Sequence, residues 1–242
     1  MYICRKQPVL QYISISNSGS KPTNKDFHYE GERLFIVCDG VDGAPYGDVA
    51  SKLACSSFSE FLNKKTPKPI DEECLNQALK YTIQKFKEAE SQYPEIKGMS
   101  TTLVLIAFND EDAIISWLGD SRSYHIRDGQ VCFMTEDHSL INQLKKQGEV
   151  SEENLKTIKN FITKSLNANC NHILSIETIT KENIDGEDFF MLCTDGALEN
   201  ISNEAIALTF RKNKSIEGIR DDLMKLCEGK TNDNFTIQII KV

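Results

Sequence analysis

The sequence predicts an α+β fold, and three observations carry that prediction. Apolar and β-branched residues recur in short strand-like runs. Many runs are separated only by turn residues such as "NDED" and "RDG", so neighbouring strands there should pair as antiparallel hairpins. Helical patterns come in blocks between the strands rather than alternating with them, unlike a βαβ plan. At 242 residues, with 40% hydrophobic and 26% charged residues, the chain can bury a real core. With no repeat, no low-complexity tract and no evident linker, residues 1–242 read as one domain.

Taken in order, strands are expected at "LQYISIS" (10–16), "RLFIVC" (33–38), "TTLVLIAF" (101–108), "AIISWLG" (113–119) and "RSYHIR" (122–127). Further strands follow at "QVCFMT" (130–135), "HILSIETIT" (172–180), "DFFMLC" (188–193) and "FTIQIIKV" (235–242). Two helices interrupt early. In "GDVASKLACSSFSEFLNKK", Val49, Leu53, Phe58, Phe61 and Leu62 fall roughly at helical spacing. In "DEECLNQALKYTIQKFKEAESQY", Leu75, Ala78, Leu79, Ile83, Phe86 and Ala89 share one face, and Asp71 with two glutamates favours the helix start. "KKTPKP" between them reads as a loop, and later helices are expected at 139–147, 151–159, 203–211 and 215–228.

A net charge of −8 without a basic stripe argues against a nucleic-acid surface. The eight cysteines form no Cys-x-x-Cys pair, and several lie inside apolar runs such as "FIVC" and "FFMLC". Reduced, buried thiols of a cytoplasmic protein fit that pattern better than disulfides or a zinc site. No signal-peptide pattern opens the sequence, and no apolar stretch reaches the ~18–20 residues that span a bilayer. The expectation is therefore a cytoplasmic protein with no membrane segment.

The acids are placed with more structure than the charge total suggests. Asp39 ends "LFIVC", Asp120 follows "IISWLG", Asp195 follows "FFMLCT", and Asp233 opens "DNFTIQIIKV". Each lies at a strand end beside Gly or Asn, where backbone can approach closely and a rigid frame can aim a side chain. Asp-Gly is also ordinary turn chemistry, so four unrelated loop acids would look the same. If the four converge, they need a cation among them, and an all-oxygen set suits Mg2+ or Mn2+ rather than zinc.

In order along the chain, "VCDGVDG" with "GDVAS", "STTLVL", "WLGDSRSY", "TEDHSL", "ITKSL", "LCTDGALE" and "DNFTIQII" resemble the metal-dependent protein phosphatases of the protein phosphatase 2C type. The resemblance covers almost the whole chain. It implies a four-layer α-β-β-α sandwich, two antiparallel sheets with helices outside. It also implies a metal-dependent serine/threonine phosphatase acting on phosphorylated proteins through a metal-bridged hydroxide. By the same resemblance, Asp39 bridges two Mg2+ or Mn2+ ions, with the Gly40 carbonyl on one and Asp195 and Asp233 on the other. Asp120 and Glu199 are placed to share a third ion. Lys21 stands where relatives often carry a phosphate-gripping arginine. A partner serine/threonine kinase and a monomeric state are further expectations.

Other hydrolase chemistries lack their motifs: there is no Cys-x5-Arg loop and no G-x-S-x-G elbow. His138 reads as a structural histidine rather than a base. The departures from the family pattern cluster near Asp39. Asp42 replaces a glycine, with backbone restriction if its φ is positive; it either tightens metal binding or points to water, and the second is the preferred reading. Val41 does not supply the histidine of eukaryotic members. In "KPTNKD", Lys25 replaces a glutamate while Asp26 is kept. A cation there is unfavourable unless it faces away or contacts substrate, which raises a second reading: a catalytically silent relative that binds a partner or a phosphorylated segment. Residues 140–161 lie where relatives carry a variable flap, here read as selecting substrate.

Overall fold

The computed structural model describes residues 10–64, 69–148, 161–184, 186–211 and 215–242. Ten strands appear in chain order: β1 (Gln11–Asn17), β2 (Asp26–Glu30), β3 (Leu34–Asp39), β4 (Leu103–Phe108) and β5 (Asp112–Leu118), then β6 (Arg122–Arg127), β7 (Gln130–Met134), β8 (Ser175–Thr180), β9 (Phe189–Cys193) and β10 (Phe235–Lys241). They form two five-stranded sheets, ordered β1-β10-β9-β6-β7 and β2-β3-β4-β5-β8. Every ladder is antiparallel.

The strands that read as continuous apolar runs are buried on both faces, and the period of two sorts their side chains between layers. Along β3, Leu34, Ile36 and Cys38 face the helices, while Phe35 and Val37 enter the space between the sheets. In β9 the same alternation sends Phe189, Met191 and Cys193 to the opposite helical layer and Phe190 and Leu192 inward. A one-residue slip would exchange these sets and strand each against the wrong layer. Helices α1 (Gly47–Asn63) and α2 (Glu72–Gln92) cover one sheet through Phe58, Leu62, Leu75 and Phe86. The side chain of Asp71 accepts a hydrogen bond from the Cys74 amide and caps α2. Helices α5 (Asn203–Arg211) and α6 (Ile216–Cys227) cover the other through Ile206, Phe210, Ile219 and Leu223. The result is the α-β-β-α sandwich the resemblance implies. Between these pairs lie α3 (Leu140–Gln147) and the short α4 (Asp195–Leu198).

Two expectations change. Strand β2, "DFHYE", went unpredicted because only Phe27 and Tyr29 are apolar and it runs for five residues at a sheet edge, where polar side chains are the rule. Strands β5 and β6, although separated by a short turn, do not form a hairpin: β6 crosses to the other sheet and pairs with β9 and β7. That crossing places Asp120 between the sheets. The expected 151–159 helix and most of "KKTPKP" lie outside the described residues, as does the second half of the 140–161 segment. The seven described cysteines are free thiols. Among the described residues, no helix is long and apolar enough to cross a membrane.

Candidate metal centre

Antiparallel order brings the acid-bearing strand ends to one pole of the sandwich. Asp26 opens β2 and stands opposite Asp39 at the end of β3. Asp195 follows the end of β9, and Asp233 precedes β10, whose Ile237 pairs with Cys193. Asp120 lies in the β5–β6 crossing, where Arg122 pairs with Cys193 as well. The backbone around Asp39 is pinned from both sides. Its amide donates to Thr102 Oγ1 at 3.0 Å, and its carbonyl accepts from the Thr102 amide at 2.8 Å and Thr101 Oγ1 at 2.7 Å. Thr102 Oγ1 lies 2.7 Å from Ser121 Oγ, which links this strand end to the Asp120 turn. Thr101 and Thr102 of the "STTLVL" motif thus set the position of Asp39.

The loop between β3 and α1 explains the "DG" after the strand. A side chain at Gly40 would meet the Gly47 carbonyl oxygen at 2.3 Å, so only glycine lets the start of α1 approach the end of β3. The positive φ of this loop falls on Gly43 and on Tyr46, not on Asp42, so the aspartate there carries no backbone strain.

Asp26 and Asn234 have no role legible in the sequence, yet both organise the pole. Asp26 Oδ2 accepts from Thr194 Oγ1 at 2.9 Å, which in turn accepts from the Thr236 amide. Asn234 Oδ1 accepts from the Lys25 amide at 2.8 Å, and its amide group donates to the Ser18 and Thr23 carbonyls. Asn234 serves backbone groups more than 200 residues away, and Asp26 meets the Thr194 side chain across 168 positions. Glu199, exposed beyond α4, accepts from the Asn232 amide at 2.8 Å.

The electrostatics are one-sided. Asp26 and Asp120 are buried, at 7% and 4% exposure, and Asp26 Oδ1 and Asp120 Oδ1 have no hydrogen-bond partner. Burial, and then the charge of Asp195, push each of these carboxyls up to about 7. Asp39 is held well above the ordinary carboxylate range by lost hydration and by the charges of Asp26 and Asp195. Arg122 is committed elsewhere, as both arms of its guanidinium grip Asp137 at 2.7 and 2.6 Å. Among the described residues, no three acidic, histidine or cysteine side chains close around one point as a finished metal cage. Instead, Asp26 and Asp195 stand close enough to Asp39 for their charges to push its carboxyl further up. Buried carboxylate oxygens with no donor, crowded by like charge, fit a hard cation.

At the rim, Lys21 Nζ lies 3.5 Å from Asp233 Oδ1 and 2.8 Å from Asp42 Oδ2. Lys25 Nζ lies 2.8 Å from the other oxygen of Asp42. Asp42 therefore does not simply point to water, and Lys25 does not confront the acids unpaired. His138 is structural, as expected. Its Nδ1 accepts from the Gly119 amide at 3.1 Å, so Nε2 carries the proton and faces Ser175 Oγ at 2.9 Å. Burial, then the charge of Lys164, lower it to about 4.

The comparisons agree with this geometry. The family model "Protein phosphatase 2C" matches residues 20–229. Serine/threonine protein phosphatase PstP of Mycobacterium tuberculosis is 26% identical over 238 residues, covering 97% of this chain. The chain spans only 45% of that relative's own length. Serine/threonine phosphatase stp of Listeria innocua is 29% identical over 233 residues, with 93% of this chain and 89% of the relative covered. The crystal structure of M. tuberculosis PstP/Ppp superposes with a TM-score of 0.86 at 25% identity, covering 97% of this chain and 99% of that one. A structure of the PstP catalytic domain with two manganese ions gives 0.83 at 25% identity, covering 96% and 98%. With the family model spanning most of its length over a matching sandwich, the chain belongs to the protein phosphatase 2C family.

Proposed function

We propose that this protein is a metal-dependent protein phosphatase that hydrolyses phosphoserine and phosphothreonine in protein substrates. The observation that carries this reading is the gathering of acids at one pole, where the buried Asp26 and Asp120 each keep one carboxylate oxygen with no hydrogen-bond partner. Asp39, the Gly40 carbonyl, Asp195 and Asp233 would hold two Mg2+ or Mn2+ ions, and Asp120 with Glu199 a third. Bound there, such ions lower the pKa of water and offset charge on phosphoryl oxygens. Relatives named serine/threonine phosphatases, one of them solved with two manganese ions, support the same reading.

The chain's own residues set the frame for that chemistry. Thr101 and Thr102 fix the Asp39 peptide, and Thr194 holds Asp26, which stands opposite Asp39 across the β2–β3 ladder. Lys21 offers the phosphoryl group a point charge with three rotatable donors, without the fork of an arginine. Water is the acceptor of the phosphoryl group, with no covalent enzyme intermediate. The thiols near the pole, Cys38 and Cys193, are buried with pKa values pushed up, so neither is a nucleophile. His138, committed through both ring nitrogens, is not the acid that protonates the leaving group. The reading extends to phosphorylated proteins and a serine/threonine kinase as partners, in the cytoplasm, with residues 1–242 acting as one monomeric catalytic domain.

Hydrolysis of p-nitrophenyl phosphate and a phosphothreonine peptide tests it. Turnover should appear with manganese, vanish in EDTA, and be lost in Asp39→Asn and Asp195→Asn. Undiminished turnover in both variants would overturn the mechanism. A silent phosphopeptide-binding relative, the second reading, was suggested by Lys25, whose charge Asp42 now answers. Peptide binding without turnover would favour it.

A further inference from the structure

Three charged side chains stand at the mouth of the carboxylate pole. Asp42 gives one oxygen to Lys21 and the other to Lys25, each at 2.8 Å, and Lys21 also reaches Asp233 at 3.5 Å. One carboxylate shared by two ammonium groups leaves one unit of positive charge in surplus.

The two lysines are not equivalent. Lys25 is fixed through its backbone: its amide donates to Asn234, and its carbonyl accepts from the Gly40 amide and from the Ser51 hydroxyl. It immediately precedes Asp26, so its position follows that of the buried floor. Lys21 lies in the loop before β2 and divides its ammonium between Asp42 on the rim and Asp233 beside the candidate metal ligands. An unpaired carboxylate at position 42 would repel an approaching phosphate dianion and would hold Lys21 as its sole counter-ion.

We propose that Asp42 and Lys25 are positioning residues, a fixed ion pair that presents Lys21 to the phosphoryl group. Lys25 keeps Asp42 neutralised, so Lys21 can exchange its Asp42 contact for a phosphoryl oxygen at little electrostatic cost. Asp42 in turn keeps the long Lys21 side chain at the mouth when no anion is bound. The two departures from the family pattern therefore act as one unit. As regards substrate, this inference rests on the phosphatase reading; as regards anion binding, it stands apart from it.

The test is a double-mutant cycle on the manganese-loaded protein. Its readouts are the calorimetric Kd of inorganic phosphate and the KM and kcat for a phosphothreonine peptide. Lys25→Gln should raise both Kd and KM about fivefold, the upper range for a partly exposed ion pair, with kcat within about twofold. Lys25→Arg should retain both. Adding Asp42→Asn to Lys25→Gln should bring Kd and KM back to within about twofold of the unaltered protein, because the carboxylate that opposed the anion is gone. An unchanged Kd in Lys25→Gln, a double variant as weak as the single, or no phosphate binding by the unaltered protein would overturn the inference. Phosphate binding without turnover would instead sink the phosphatase reading, and the Kd cycle would still decide the pairing. Both substitutions are at partly exposed side chains, and unchanged thermal melts confirm that folding is not what is read.

Discussion

Strand β9 has an aspartate at each end, and the two meet opposite fates. Asp188, just before it, is fully buried and fully answered. Arg127 donates to both its oxygens at 2.7 Å, and His125 Nε2 lies 2.8 Å away. Asp195, two residues past the other end, belongs to a group in which Asp26 and Asp120 keep buried oxygens with no partner, and Asp39 leans on other acids. Asp188 is completed by the chain at one pole, whereas the likewise buried Asp26 and Asp120 are left incomplete at the other. A buried carboxylate paired with arginine is architecture; buried carboxylate oxygens left without a partner and crowded by other acids mark a candidate site.

The contrast can be broken most sharply by substituting an acid at each pole. Asp39→Asn should lower manganese-dependent hydrolysis by about a thousandfold, the effect of losing several kcal/mol of metal-derived stabilisation. The folded state should survive, as circular dichroism melts would show. At the other pole, Asp188→Asn should cost about 3 kcal/mol in urea unfolding, because it leaves the Arg127 and His125 arrangement without its acceptor. Its turnover per folded molecule should hardly change. If the two variants showed the same pattern, the division into site and architecture would fail.

Manganese sharpens the comparison further. At about a hundredfold over its Kd, it should stabilise the unaltered protein by about 2.7 kcal/mol in thermal denaturation, and EDTA should reverse this. Asp39→Asn should lose most of that gain and Asp188→Asn should keep it. The smallest effect concerns His138, near the open pole but without a carboxylate partner. Its folded pKa of about 4 lies below the ordinary 6.5, so the unfolded chain takes up the proton first. The full shift is worth about 3 kcal/mol, but the ring is partly exposed and solvent screens it, so stability should fall by about 1–2 kcal/mol as pH drops from about 6.5 to about 4. Urea titrations at several pH values should show a shallower slope in His138→Gln.

Much of this pole was legible because strand ends announce themselves. Asp39, Asp120, Asp195 and Asp233 each sit where an apolar run stops beside Gly or Asn, and antiparallel order does the gathering. What could not be read has a common cause in distance along the chain. Asp42 and Lys25 are 17 residues apart with no periodicity to relate them, and Asn234 serves backbone groups 209 to 216 residues away. Strand β2 was hidden for another reason, since two apolar residues in five give no alternation strong enough to separate from loop. The sorting of β3, β4 and β9 between two cores was equally invisible, because a run buried on both faces shows no period.

The stitching by Asn234 also fixes a sequence of events in time. Strand β1 finds its partner β10 only across the length of the fold, and Ser16 reaches Thr236 over 220 positions. A ribosome releases the N-terminal residues of the pole, Lys21 to Asp42, long before Asp233 and Asn234 exist. Half of the carboxylate cluster must therefore wait, unassembled, while the rest of the chain is made, and contacts of such separation close late and slowly. A nascent chain has no working pole to offer any ligand. The pole can close only once β10 has been made and has paired with β1 and β9.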